Sequence, residues 1–314
     1  MERLLFATDG SEHSERAFEV AVRLAKALGA SLEIVSVVPT HPSYTFGSVA
    51  GAPPVTSDEE AVRFHTEIAA RLRQRAEHEG VAAVRVGIKE GDPAGGILAE
   101  AEGLPADLVV VGARGVSAAH RLLLGSVSHA VVTQSRRPVL TVRGSAAVPG
   151  EVAATGPDRI VVATDGSPGA ARAVSVGIEL GRALRLGLRL ISVVPAVAGL
   201  GLRPDRERAI SEMLERDAVA VLARERERAT RAGLTDVRTE VLRGSAADSV
   251  LDYVGDSART LVVAGSRGRS RARRLLLGSV SSALLHQARG MVLIVPEPPH
   301  RPRPRARNAA SAPG

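Results

Sequence analysis

Residues 112–128 read GARGVSAAHRLLLGSVS, and residues 265–281 read GSRGRSRARRLLLGSVS. Both follow one spacing: a glycine, two residues, a glycine, nine residues, then Gly-Ser. Each stretch follows a short apolar run, residues 107–111 and 260–264, and precedes an amphipathic segment of helical spacing. The pattern reads as strand, glycine-rich loop and helix, written twice. Such a loop suits phosphate. Gly112 and Gly115, like Gly265 and Gly268, let backbone N–H groups approach an anion with no side chain in the way. Gly125-Ser126 and Gly278-Ser279 then open a helix. Its unpaired N–H groups and positive dipole end favour a phosphate, and the serine hydroxyl can add a hydrogen bond. The dipole alone contributes up to ~2 kcal/mol, so tight binding needs several donors together with a base pocket. One copy alone could be a strand end and a helix cap and nothing more. Identical spacing in two equivalent places argues against coincidence.

Working outward, residues 4–8 form an apolar run that ends in Asp9-Gly10-Ser11, the mark of a buried parallel strand and its exit turn. A helix follows to about residue 28, with Ala17, Val20, Ala21, Leu24 and Leu28 on one face and Gly29 as its stop. Residues 32–38 are the next strand, closed by Pro39. Residues 40–56 are a turn-rich loop, either a lid or a disordered excursion. A helix over 57–79 is capped by Ser57 or Asp58, and a strand covers 82–88. A helix then opens with Asp92 as N-cap and Pro93 at its first position. A strand at 108–112, a helix at 126–135 and a strand at 138–142 complete the series. This strict alternation predicts a parallel sheet covered by helices on both faces.

Residues 144–157, rich in Gly, Ala and Pro, read as a linker, after which the programme restarts. ATDGS recurs with Asp165 in place of Asp9, and Ser-Val-Val-Pro recurs at 192–195 as at 36–39. Repetition at domain length is duplication, not a solenoid. It predicts two domains, 1–143 and 158–296, followed by a Pro/Arg-rich tail, 297–314, of disordered composition. The final strands of the two domains, 139–142 and 292–295, can pair with each other inside one chain and so cover two open sheet edges.

The composition, 45% hydrophobic and 24% charged over 314 residues, fits about two globular domains. Aromatic residues make up only 2%, which argues against base-stacking platforms for single-stranded nucleic acid. The absence of cysteine removes disulfides, thiolate zinc sites and cysteine nucleophiles, and agrees with a reducing, cytoplasmic setting. No signal-peptide core or membrane span is legible. The net charge of +7 gathers in the second half and the tail. A solvated arginine-biased surface accounts for it more simply than nucleic-acid contact. The eight histidines show no metal-ligand spacing and read mostly as surface residues, with His129 and His286 as packing residues on the last helix of each half.

With these residues in view, the chain resembles the universal stress protein family in a tandem two-domain form. The likeness rests on Asp9-Gly10-Ser11 and Asp165-Gly166-Ser167, the Ser-Val-Val-Pro strand ends and the repeated glycine spacing. That spacing resembles the family's ATP-binding subgroup. The resemblance implies two tandem Rossmann-like, adenine nucleotide alpha hydrolase-like domains, each with a five-stranded parallel sheet of order 3-2-1-4-5. It places adenine nucleotide at the carboxyl ends of strands 1 and 4, where the strand order reverses. It sets Asp9 and Asp165 near the ribose-phosphate or its metal, and Val37 and Val193 at the adenine edge through their backbone. It wraps Gly112, Gly115, Gly125, Ser126, Val127 and Ser128, and likewise Gly265, Gly268, Gly278, Ser279, Val280 and Ser281, around ribose and phosphates. The implied ligand is ATP, with or without magnesium, and no residue is assigned as a metal ligand.

Asp9 and Asp165 have a plainer structural reading as caps of the helices that follow. Fast hydrolysis needs a positioned water, a metal clamp and charge stabilisation. One aspartate per site does not supply these, so no catalytic residue is assigned. The reading is a nucleotide-binding stress-response or signalling protein, not an enzyme, with the two domains as an internal pseudo-dimer and a homodimer left open. The alternative is a scaffold whose basic second half and tail recruit a partner or nucleic acid.

Overall fold

A computed structural model of the 314-residue chain describes residues 1–40, 58–113, 124–143, 156–197, 201, 203–268 and 277–297. The lid-like loop from residue 41, Ser57, Gly115, Arg269, Arg271, Arg273, Arg274, the linker up to residue 155 and the tail beyond Glu297 lie outside the described residues.

The first half runs β1 (Arg3–Thr8), α1 (Glu12–Leu28), β2 (Ser31–Val38), α2 (Asp58–His78), β3 (Val84–Glu90), α3 (Pro93–Gly103), β4 (Leu108–Gly112), α4 (Ser126–Gln134) and β5 (Val139–Val142). The second runs β6 (Arg159–Ala163), α5 (Pro168–Leu184), β7 (Leu188–Val194), α6 (Pro204–Arg231), β8 (Val237–Arg243), α7 (Ala246–Val254), β9 (Thr260–Gly265), α8 (Ser279–Gln287) and β10 (Met291–Val295). The strands form one ten-stranded sheet, β3-β2-β1-β4-β5-β10-β9-β6-β7-β8. Each half therefore has the 3-2-1-4-5 order, and each switch point lies between its first and fourth strands. Within each half every neighbour is parallel.

Alternate side chains of the central strands enter opposite layers, as the pleat requires. Leu4 and Phe6 of β1 pack with Phe18, Leu24 and Leu72 of α1 and α2. Leu5 of β1, with Val109 and Val111 of β4, packs with Ile97 and Val131 of α3 and α4. Both faces are thus covered, which explains why β4 is an unbroken apolar run and β9 is one after Thr260, both buried throughout. The outer strands β3 and β8 are partly exposed and carry charges such as Arg85, Lys89 and Glu240, which discourage edge-to-edge pairing. The third strand lies two residues later than the apolar pattern predicts. β2 continues to Val38 and draws Lys89 and Glu90 into register, so pairing and not hydrophobicity sets that end.

The seam between the halves is antiparallel, with Val139 opposite Ile294, Leu140 opposite Leu293 and Thr141 opposite Val292. The expected internal pairing is present. The Thr141 hydroxyl donates to the Val292 carbonyl at 3.2 Å. The Arg143 guanidinium donates to the Leu285 and His286 carbonyls at the end of α8, the latter at 2.9 Å. The rings of His129 and His286 meet across the seam with centroids 5.9 Å apart. The N-terminal amine of Met1 pairs with Glu179 of the other half.

Candidate functional site

The two Asp-Gly-Ser turns are built alike. Asp9 Oδ1 accepts the Ser11 N–H at 3.0 Å, and Asp165 Oδ1 accepts the Ser167 N–H at 2.9 Å. Gly10 and Gly166 both sit at φ +76°, in the left-handed region that favours glycine. The serine then caps the helix: Ser11 Oγ accepts from Ser14 N at 3.2 Å, and Ser167 Oγ from Ala170 N at 3.3 Å. The caps are therefore the serines. The aspartates instead close the turn, which corrects the plainer reading of Asp9 and Asp165. Gly166→Ala is expected to cost about 2–5 kcal/mol, from left-handed strain of ~1–2 kcal/mol and overpacking of ~1–3 kcal/mol. Its methyl would lie 2.8 Å from Val221 Cγ2. Urea unfolding measures the loss.

The glycine loops leave and return by equivalent bonds. Gly125 N–H donates to the Ala113 carbonyl and Gly278 N–H to the Ser266 carbonyl, both at 2.8 Å. The first intrahelical bonds are His129 N–H to Gly125 O and Ser282 N–H to Gly278 O, each at 2.9 Å. The amides of Ser126, Val127 and Ser128, and of Ser279, Val280 and Ser281, therefore have no acceptor inside their own helix. This is the donor set that an anion takes.

The serine hydroxyls at the third position behave otherwise. Ser128 Oγ donates to the Gly112 carbonyl and Ser281 Oγ to the Gly265 carbonyl, each at 2.6 Å, and both serines are buried. They pin helix to strand, so what they can offer a ligand is the backbone N–H. Gly265 also has a packing reason. A methyl there would lie 2.9 Å from the Gly169 carbonyl carbon and 3.0 Å from Ala170 N, so α5 approaches too closely for any side chain.

In the second half all eight residues singled out from the sequence line a single cavity of about 220 Å³: Asp165, Val193, Gly265, Gly268, Gly278, Ser279, Val280 and Ser281. Ile191, Ala163, Ala246, Val250 and Ala264 add apolar wall, and Thr164, Ala170 and Arg267 complete it. One end is apolar. The rest presents glycine backbone, helix amides and a carboxylate. Asp165 Oδ2 lies 2.7 Å from where a Gly268 methyl would stand, which puts that carboxylate against the glycine loop. Arg267 pairs with Glu297 at 3.6 Å. It is one of five arginines, with Arg269, Arg271, Arg273 and Arg274, that the sequence leaves either to grip phosphates or to point to water, and the other four lie outside the described residues.

In the first half Asp9, Gly112, Gly125, Ser126, Val127 and Ser128 occupy the matching turn, strand end and helix start. Val37 is buried beside Gly96, whose added methyl would meet Val37 Cγ2 at 2.9 Å. One histidine departs from expectation. His65 is not a surface residue but 2% exposed, with Nδ1 2.7 Å from Ser36 Oγ. Burial pushes its pKa below the usual imidazole value, and Asp9 opposes that shift.

Among the described residues no helix is long and apolar enough to cross a membrane. A sequence profile described as the Universal stress protein family matches residues 1–143 and 157–296. A universal stress protein encoded in the QAH/OAS sulfhydrylase 3' region of Thermus aquaticus is 40% identical over 141 residues, covering 45% of this chain and 97% of that protein. Universal stress protein YxiE of Bacillus subtilis (strain 168) is 37% identical over 148 residues, covering 45% of this chain and 98% of its own. The crystal structure of a universal stress protein from Archaeoglobus fulgidus DSM 4304 matches 94% of this chain and 98% of that one, at 21% identity and a TM-score of 0.64.

Proposed function

This chain belongs to the universal stress protein family, and from that premise we propose that it binds adenine nucleotide without turning it over, with one crevice in each half. The observation that carries this reading is the second crevice. Residues drawn from three separate stretches of sequence converge on one cavity, with the first-turn amides of α8 as donors at its polar end. The donor set fits a phosphate chain, and the apolar wall of Ile191, Val193, Ala246 and Val250 fits a base. ATP, with or without magnesium, is the ligand of choice, because an anion that meets Asp165 must be held by several donors at once. The helix dipole supplies up to ~2 kcal/mol, the amides add charge-assisted hydrogen bonds, and Arg267 supplies a full positive charge.

The role is binding and signalling in a stress response. The crevice offers one carboxylate and, among the described residues, no His/Asp/Glu cluster that could hold a metal ion. Mass spectrometry of the unfolded, freshly purified chain is expected to release ATP, ADP or AMP. Added ATP-magnesium at 100 times its dissociation constant should stabilise the fold by about 2.7 kcal/mol for each crevice it fills. Release of no nucleotide, together with no stabilisation, would sink the reading in favour of a scaffold. Turnover near ~10 per second, the median for enzymes, would overturn its non-catalytic part.

A further inference from the structure

We propose that Arg137 and Arg172, one from each half of the chain, form a phosphate subsite at the sheet edge beside the second crevice. The subsite takes either the outer phosphates of a nucleotide held in that crevice or free inorganic pyrophosphate. It needs no base pocket, so it stands apart from the nucleotide reading above.

The antiparallel seam brings the two arginines together. Val139 stands opposite Ile294, so Arg137, two residues before Val139, comes level with Pro296, two residues after Ile294. The Arg172 guanidinium, from α5, donates to the Pro296 carbonyl at 3.1 Å. The glycine loop of the second crevice reaches the same place. The Ser266 N–H donates to the Val295 carbonyl at 2.8 Å, and the next residue, Arg267, lines the cavity and pairs with Glu297 at 3.6 Å. Neighbouring strands lie ~4.8 Å apart, so the start of β5 is ~10 Å from the end of β9. Arg267, Arg172 and Arg137 thus follow one another along one edge, from the crevice to the seam.

Neither Arg137 nor Arg172 has a carboxylate partner among the described residues. Arg136 takes Glu102 at 3.7 Å, and Arg267 takes Glu297. The stretches that leave this edge, 269–276 and 298–314, carry four arginines each and no Asp or Glu. Outside the described residues the sequence holds one acid, Glu151, in the linker that leaves β5 by its other end. Burial, and then the charge of Arg137, hold the pKa of Arg172 below its ordinary value, yet both guanidinium groups stay charged at every physiological pH. Two like charges, one of them partly withdrawn from water, repel. A phosphate group between them removes the repulsion, and its oxygens match the fork of N–H donors on each guanidinium.

The opposite edge lacks this pair. Counting by 153, the offset between the glycine loops, Gly290 stands where Arg137 does and Arg143 where Pro296 does. Arg16 is the counterpart of Arg172, by the offset of 156 between the Asp-Gly-Ser turns. Arg143 is spent on the carbonyls of Leu285 and His286. Duplication has therefore left a second anion subsite beside one crevice only.

The test is calorimetric titration of the full chain with inorganic pyrophosphate, adenosine and ATP, for wild type, Arg137→Gln, Arg137→Lys and Arg136→Gln. Pyrophosphate should bind wild type about five- to tenfold more tightly than Arg137→Gln, the worth of one charge-assisted hydrogen bond at a half-exposed site. Arg137→Lys, which keeps the charge, should recover part of the loss. Arg136→Gln, one residue away and already paired, should match wild type. The nucleotide arm tells the two sources apart. If the subsite takes outer phosphates, Arg137→Gln weakens ATP binding as it weakens pyrophosphate and leaves adenosine alone. If it takes the free ion, pyrophosphate still binds with ATP present at saturation. Either result supports the subsite. Equal pyrophosphate affinity in wild type and Arg137→Gln, or an equal loss in Arg136→Gln, would overturn it. So would a fall in the thermal midpoint of Arg137→Gln without any anion, which would give that side chain a structural bond instead. Pyrophosphate binding that depends on Arg137, in a chain that takes no nucleotide, would remove the nucleotide reading and leave the subsite standing.

Discussion

Gly268→Val is expected to lower the affinity of the second crevice for ATP at least a hundredfold and to leave the first unchanged. The β-carbon of any residue at 268 would stand 2.7 Å from Asp165 Oδ2. Asp165 cannot withdraw at no cost, because its other oxygen closes the turn through the Ser167 N–H. Valine adds two further methyls at the wall of a cavity of about 220 Å³. The phosphates then lose both the room and the approach to backbone that glycine allows. A hundredfold loss corresponds to about 2.7 kcal/mol, close to two good charge-assisted hydrogen bonds. Calorimetry should show the stoichiometry falling from two nucleotides per chain to one. Two sites of undiminished affinity would mean that the polar end of this cavity does not face the ligand.

The second large effect concerns the seam. Leu293→Asp is expected to destabilise the chain by more than about 4 kcal/mol at neutral pH. Leu293 is fully buried and stands opposite Leu140, also fully buried, in the antiparallel pair that joins the halves. A carboxylate there must be taken out of water with no cation opposite it, the costliest kind of burial. Leu293→Ala keeps the site apolar and should cost about 2–5 kcal/mol through the space it leaves. Urea denaturation ranks the two. An aspartate variant no less stable than the alanine one would show that water reaches the seam.

The fold was legible because glycine, proline and serine mark nearly every strand exit and helix start. Asp92, for example, caps α3 through the Gly95 N–H at 2.7 Å, as its place before Pro93 implied. What the sequence concealed were contacts between distant segments. Ser128 and Ser281 look like phosphate ligands in a linear motif, yet their hydroxyls answer strand carbonyls 16 residues earlier. Gly265 reads as room for an anion, and nothing local reveals that α5 backbone occupies that space. The end of β3 was missed because its last residues are polar and held by pairing to β2.

His65 is different, because its signal was present and went unused. It falls on the same helical stripe as Ala61, Ile68, Ala69, Leu72 and Ala76, all buried. A histidine on an apolar stripe is a candidate for burial, whatever the count of histidines elsewhere. Arg267 carried no comparable signal, since the sequence sets it beside Arg269, Arg271, Arg273 and Arg274 with nothing to single it out.

The antiparallel joining of β5 to β10 has a consequence for how such a molecule can change. In an assembly of two identical chains, any substitution near the symmetry axis occurs twice and confronts its own copy. Here the axis is covered by one polypeptide, and each residue confronts a stranger. His129 meets His286, and Arg143 grips carbonyls of α8, while at the corresponding place in the other half Pro296 offers only a carbonyl, taken by Arg172 at 3.1 Å. A mutation on one side can be tried without its mirror image, so the two halves are free to specialise while sharing a single sheet.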